Sequence, residues 1–210
     1  MMAVLHFLIR TILYLIFKIL FRLKVYGAEM VPEKGGVIIA ANHVSFLDPL
    51  LLGVVLKRRT TFIAKQYLFS TPIIGPVVKH YSIPVDAGRT RPSTIKEAVR
   101  RLRSGELIVI FPEGGINLDG SFIDAKRGIG LIASMSGATI VPAFIDGTQR
   151  ALPVGARFLR PARIEVFFGQ PLKLGENEDE KGFQERVCMV IMDKIKALGD
   201  RQMANGKLNL

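Results

Sequence analysis

Residues 36–53 read GVIIAANHVSFLDPLLLG. The run Val37–Ala41 is apolar at every position, so neither side of it is marked for water. A short run of this kind, rich in Val and Ile and bounded by glycine on one side and Asn-His on the other, predicts a central strand over 36–41 in a sheet covered on both faces. Apolar residues resume after Asp48 at helical density, which predicts a helix over 45–57. His43 and Asp48 then sit where a strand hands over to a helix, the place at which α/β sheets bind ligands.

Outward from that stretch the alternation continues. Strands are expected at 36–41, 61–64, 82–85, 106–111, 139–145 and 163–168, and further helices at 94–105, 126–136 and 179–198. In TIKEAVRRLRSG, Thr94 and Glu97 have the spacing of a capping box and Gly105 stands as the stop signal. Strands alternating with helices predict an α/β fold: a single domain with a largely parallel sheet covered by helices. The expected organisation is an N-terminal helix over 1–24, one domain over 25–199 and a polar, frayed tail over 200–210. The acidic stretch LGENEDEKG at 174–182 is the one candidate linker.

The chain has 210 residues, 49% of them hydrophobic and 22% charged, enough for one well-buried core. Its single cysteine, Cys188, lies in the apolar run VCMVIM and reads as core; no intrachain disulfide can form, which suits a reducing compartment. His6, His43 and His80 are far apart in sequence and form no zinc-like spacing with it, so no metal is expected. The net charge of +11 predicts an anionic partner. Nucleic acid is not expected, because the chain has no tryptophan, no basic-aromatic RNA-binding stretch and no helix-turn-helix signal.

The first 24 residues, MMAVLHFLIRTILYLIFKILFRLK, resemble a membrane anchor interrupted by charge. Arg10 and Lys18 enclose only TILYLIF, far short of the ~20 apolar residues a spanning helix needs. At 100° per residue His6, Arg10, Tyr14, Lys18 and Arg22 fall on one drifting stripe, and aliphatic and aromatic residues cover the wider remaining arc. That pattern predicts an amphipathic helix lying in the membrane interface, apolar side in the acyl chains and basic side toward anionic headgroups. The expected location is peripheral, or monotopic, on the cytoplasmic face of a membrane.

Two loops carry the chemistry. One holds Asn42, His43 and Asp48, and the other follows the strand at 106–111 as Pro112-Glu113-Gly114-Gly115. Paired glycines let a backbone approach a ligand closely and offer amide N–H groups to an oxyanion. A third loop, Asp86-Ala87-Gly88-Arg89-Thr90-Arg91, supplies two cations.

NHVSFLD resembles the NHxxxxD signature of the glycerolipid acyltransferases, the family that includes 1-acylglycerol-3-phosphate acyltransferases. FPEGG resembles that family's FPEG block, IPVDAGR its intermediate block and IVPAFI its Val-Pro block. The four occur in the family's order over roughly residues 25 to 170.

The resemblance implies acyl transfer from a thioester, acyl-CoA or acyl carrier protein, to the free hydroxyl of a lysophosphatidic-acid-like lipid, with no further cofactor. It implies His43 as general base; an imidazole titrates near ~6.5, which suits it to that work. Asp48 would fix the imidazole's tautomer and stabilise the imidazolium. No GxSxG elbow surrounds Ser45, which reads as a helix cap or loop residue. Asn42, Glu113, Gly114 and Gly115 are implied in substrate binding.

The sequence departs from the family after FPEG, where Ile116 stands in place of a usual arginine. Lys65, in AKQYLF, with Arg89, Lys126 and Arg127, are candidates to meet the acceptor's phosphate instead. A different acceptor (another lysophospholipid, glycerol 3-phosphate or a lyso-aminolipid) and a non-enzymatic basic membrane-binding protein stay open as alternatives.

Overall fold

The apolar run at the head of the chain's first motif does form a strand. In the computed structural model β2, Val37–Ala41, is buried at every residue and lies in the middle of a seven-stranded sheet. The structure describes residues 2–72, 75–86, 91–117, 125–173 and 182–207, with the backbone alone at 2–7 and 203–207. Among these residues the other strands are β1 (Lys24–Tyr26), β3 (Thr60–Lys65), β4 (Ser82–Val85), β5 (Leu107–Ile110), β6 (Thr139–Asp146) and β7 (Glu165–Phe168). Their order is β1-β7-β6-β2-β5-β3-β4. Every neighbouring pair is parallel except β6 and β7, which run antiparallel.

Helices cover both faces, which is why the central strands read as apolar throughout. Val37, Ile39 and Ala41 of β2 pack with Leu107 and Val109 of β5 on one face. There they meet α1 (Met2–Leu20) and α2 (Asp48–Val55) through Phe17, Leu51 and Leu52. Ile38, Ala40, Ile108 and Ile110 point the other way. They meet α4 (Pro92–Arg103), α5 (Gly128–Ser136) and α7 (Phe183–Lys207) through Leu102, Ile132 and Ile191. Each such aliphatic side chain stabilises the fold by ~1.5–3 kcal/mol, so an aspartate at Ile39 would place a charge between the two layers and collapse it. Among the described residues the shorter helices are α3 (Gly75–Tyr81) and α6 (Thr148–Ala151), with 3-10 turns at Ala28–Met30 and Gln66–Ser70.

Several expectations are revised. Thr94 and Glu97 do not form a capping box: α4 begins at Pro92, the Thr94 hydroxyl donates to the Pro84 carbonyl, and Glu97 pairs with Arg100 and Arg101. Proline at the first turn sets the start instead, because its ring fixes φ and it has no N–H to satisfy. Gly105 is the stop, with φ of 87°. The chain is still helical beyond Asp200, since α7 runs to Lys207. Ser45 lies in a loop, as α2 starts only at Asp48. Most of the acidic stretch 174–182 lies outside the described residues.

The N-terminal helix departs furthest from the expected arrangement. The basic stripe does not all face solvent: Arg10 is half-buried, its Nε and Nη1 donating to the Val54 and Lys57 carbonyls at 3.1 and 3.4 Å, while Lys18 stays exposed with its Nζ donating to the Leu23 carbonyl. The Val54 carbonyl lies in the last turn of α2, where carbonyls have no partner within the helix and carry the negative end of its dipole, so a guanidinium beside it is favoured. Phe17 and Phe21 are buried in the sheet's core, with Leu13 and Tyr14 packed against it. The outward face of α1 is therefore apolar, formed by Leu8, Ile9, Ile12, Leu15, Ile16, Ile19 and Leu20, all exposed. The side chain of His6 lies outside the described ones.

Candidate active site

Because β2 and β5 are parallel neighbours, the loops leaving their carboxyl ends emerge side by side. Asn42 opens the first loop and is buried. Its amide nitrogen donates to the Ile145 carbonyl at 2.9 Å and its amide oxygen accepts from the Ile145 N–H at 2.7 Å. Both contacts go to the backbone of β6, so Asn42 fastens the strand end and is not presented to the crevice as the sequence suggested.

His43 follows, held on three sides. Its Nδ1 lies 2.9 Å from Asp48 Oδ2, its ring stacks on Phe111 with centroids 4.1 Å apart, and its main-chain N–H donates to Glu113 Oε1. The side chain of His43 keeps 15% exposure while that of Asp48 is fully buried. A buried carboxyl group needs donors to replace the water it has lost. Asp48 has them: the Val44 and Ser45 N–H groups reach Oδ2 at 2.7 and 2.8 Å, and the Thr148 hydroxyl reaches Oδ1 at 2.6 Å. With Nδ1 held by Asp48, the imidazole can present Nε2 to a reactant.

Glu113 belongs to the same corner. Burial pushes its carboxyl above the ordinary glutamate range, and the negative charge of Asp48 adds to that. The His43 N–H and the Asn117 side chain pull the other way. Its Oε2 is buried with no well-formed hydrogen bond among the described residues, the Asn117 side chain lying alongside. The Asn117 N–H in turn donates to the His43 carbonyl at 2.7 Å, so the loop after β5 grips the main chain of His43 from both sides.

The two glycines are not equivalent. Gly114 adopts φ of 73°, its N–H already donates to the Phe111 carbonyl, and a Cβ there would strike the Lys126 side chain. Gly115 has open space where a Cβ would sit. The described residues thus leave Gly115 as the glycine with room for a ligand.

The cations separate as well. Lys126 lays its side chain across Gly114. Arg127, its neighbour, is instead 82% exposed and paired with Glu185 of α7. Lys65 ends β3 and is exposed, at the same edge of the sheet as the two loops. Arg89 lies outside the described residues. No group of three or more potential metal ligands occurs among the described residues.

Sequence reasoning missed Thr148, Phe111 and Asn117 as parts of this corner. Thr148 is brought under Asp48 by Gly147, whose left-handed φ of 94° starts α6 and where a Cβ would lie 2.0 Å from the Arg163 carbonyl. The glycine in IDGTQR was the available signal. Nothing in the sequence said which residue, a hundred positions away, it would serve.

Residues 22–146 match the sequence model of a family described as Acyltransferase. The 1-acyl-sn-glycerol-3-phosphate acyltransferase of Bacillus subtilis (strain 168) is 33% identical over 151 residues, covering 71% of this chain and 73% of that one. The chloroplastic 1-acyl-sn-glycerol-3-phosphate acyltransferase LPAT1 of Arabidopsis thaliana is 27% identical over 157 residues, 72% of this chain and 44% of that protein. This chain therefore spans less than half of the plant relative. The crystal structure of the 1-acyl-sn-glycerophosphate (LPA) acyltransferase PlsC from Thermotoga maritima superimposes with a TM-score of 0.70 at 25% identity, covering 84% of this chain and 72% of that one.

Proposed function

The chain belongs to the acyltransferase family, and from that membership we propose that it acylates the free hydroxyl of 1-acylglycerol 3-phosphate to give phosphatidic acid. The observation that carries this reading is His43 Nδ1 bonded to a fully buried, four-fold satisfied Asp48. In the proposed reaction His43 Nε2 takes the proton of the acceptor hydroxyl as that oxygen attacks the thioester carbonyl. Asp48 stabilises the imidazolium as it forms. Collapse of the tetrahedral intermediate expels the thiolate, which leaves with the proton held on Nε2. The Gly115 amide, in the loop that holds the His43 main chain and with open space around its Cα, is the candidate donor to the oxyanion.

The acceptor's phosphate needs a cation because an unpaired dianion in a partly dry crevice is too costly. Ile116 supplies none. Lys126, lying over Gly114, and Lys65, at the end of β3, are the described residues best placed to do so, with Arg89 a further candidate. A lysine meets phosphate as a point charge without the two-pronged grip of a guanidinium. That difference supports a second reading, an acceptor other than 1-acylglycerol 3-phosphate within the same reaction class. The basic chain suits either donor, since CoA carries phosphates and carrier proteins are acidic.

We further propose a peripheral membrane location on the cytoplasmic side. The support is the outward apolar face of α1, and none of the described helices is long and apolar enough to cross a bilayer. The test of the function is an acyl-transfer assay with acyl-CoA and acyl carrier protein donors against lysophosphatidate, neutral lysophospholipids, glycerol 3-phosphate and a lyso-aminolipid. Preference for lysophosphatidate, lost in His43→Ala, supports the first reading; preference for an acceptor without a phosphomonoester supports the second.

A further inference from the structure

The connection from α6 to β7 contains PVGARFLRPAR, residues 153–163, in which apolar residues alternate with arginines. Phe158 is 81% exposed, and Leu159 and Val154 are about half exposed. Single exposed apolar residues are ordinary on a protein surface; a cluster of this kind, flanked by cations and leading straight into a segment that lines another apolar face, is not. That other face is α1. Between α1 and Pro161–Arg163 opens a groove of about 720 Å³, floored by aliphatic side chains including Ile12, Ile16 and Ile19 and bordered by Arg22 and Arg163.

The backbone brings the two arginines together. Ile164 donates its N–H to the Phe21 carbonyl and Lys24 donates to the Ile164 carbonyl, so Arg22 and Arg163 flank one main-chain bridge. Arg163 shares its charge with Glu165. Arg22, Arg157 and Arg160 make no ion pair among the described residues. Arg22 has φ of 46°, the single non-glycine residue with positive φ among those described. It ends α1 at a position that glycine ordinarily fills, with the Leu23 N–H folded back onto the Phe17 carbonyl. Glycine would relax the turn, and arginine puts a guanidinium at the groove.

We propose that the α6–β7 loop is a second membrane-docking element, and that the groove it forms with α1 holds an anionic phospholipid of the leaflet. The lipid's phosphate sits between Arg22 and Arg163 and one acyl chain lies along α1. Phe158 and Leu159 enter the leaflet between neighbouring lipids, with Arg157 and Arg160 at headgroup level, the arrangement by which apolar residues and cations share an interface. The groove's volume falls in the ~300–1,000 Å³ range of small-ligand clefts, enough for a chain and headgroup and too small for a folded partner. This inference rests on the reading that the outward face of α1 meets a bilayer.

The loop also reaches the catalytic corner. Ser45 Oγ donates to the Leu152 carbonyl, the Arg160 N–H donates to the Ala151 carbonyl, and Thr148 of the same short helix holds Asp48. Docking the loop therefore places the mouth of the site at the membrane surface, where a lipid acceptor would be found.

The experiment is sedimentation of the full chain with vesicles of phosphatidylcholine, with and without phosphatidylglycerol. Acyl transfer to a short-chain, water-soluble lysophosphatidate is measured in parallel. Phe158→Ser with Leu159→Ser should weaken binding to both vesicle types about tenfold while transfer to the soluble acceptor stays unchanged. Arg22→Gly should keep or raise the melting temperature, leave binding to neutral vesicles alone and cut the preference for anionic vesicles about fivefold, the effect of one cation near a charged surface. Ile19→Ser serves as the control on α1. Loss of binding in the control with wild-type binding in the loop double variant would overturn the proposal and spare the α1 reading. Loss in neither would overturn both, and a loop variant inactive on the soluble acceptor would make the loop part of catalysis and overturn the docking role.

Discussion

The corner around Asp48 and the outward face of α1 are opposites. Asp48 is buried and accepts four hydrogen bonds, from His43, Val44, Ser45 and Thr148. The outer face of α1 holds seven exposed aliphatic side chains, Ile19 at 79%, with its one arginine turned back onto the protein. In water the first arrangement is complete by itself and the second is not. A polar group made wholly content inside the protein points to chemistry that needs fixed geometry, whereas an apolar face left uncovered points to something outside the chain.

The largest effect expected from breaking this contrast is at Asp48. Asp48→Asn keeps the volume but can present an N–H to His43 in place of an acceptor, so kcat should fall ~10²–10⁴-fold, measured by acyl transfer at saturating substrate. Thr148→Val comes next. It removes one donor from a buried carboxylate and should cost ~1–3 kcal/mol of stability in denaturant titration. It should also lower kcat about tenfold with KM little changed, because Thr148 positions Asp48 without touching substrate.

Two glutamates sharpen the comparison through pH. Glu113 is pushed above the ordinary carboxylate range by burial, so the folded state holds its proton longer than the unfolded chain does. Stability is then highest with Glu113 protonated and is lost as pH rises from the ordinary glutamate value through the raised one. Glu113→Gln keeps an oxygen for the His43 N–H and should remove that loss from the melting-temperature profile. Glu97 behaves in the opposite sense, drawn down to about 2 by its hydrogen bonds to Arg100 and Arg101. Its contribution is present above the ordinary value and lost as pH falls toward about 2, so Glu97→Gln should flatten the acid limb.

The smallest effect of a single substitution is expected at Arg10 of α1. Arg10→Ala should cost ~1 kcal/mol of stability by uncapping α2, and should leave vesicle binding unchanged because its guanidinium faces the Val54 and Lys57 carbonyls. Deleting residues 1–22 should unfold the domain, since Phe17 and Phe21 belong to its core.

Much of this was legible in the sequence, for a physical reason. Strands covered on both faces must be apolar throughout, so β2, β5 and β6 announced themselves, and the residues just past β2 and β5 marked the crevice. Strand β1 and helix α6 are three and four residues long, too short to show any period. Thr148 reaches Asp48 across a hundred residues through the sheet's crossovers, and no local pattern encodes that contact. For α1 the sequence placed Arg10 among cations facing headgroups, whereas the structure turns it onto the end of α2. A helical wheel separates two faces without saying which one meets the protein, and α2's unpaired carbonyls decided in favour of Arg10.

The central claim is that His43, oriented by Asp48, is the base for acyl transfer to a lysophosphatidate hydroxyl. The most direct measurement is phosphatidate formed by purified His43→Ala and wild type from acyl-CoA and lysophosphatidate, with the melting temperatures of both recorded. His43→Ala is expected to lower phosphatidate formation at least ~10²-fold, with a stability loss of ~1–3 kcal/mol like that of Thr148→Val, since each removes one donor from buried Asp48, so that the protein stays folded under assay conditions. Retention of more than about a tenth of wild-type activity would contradict it.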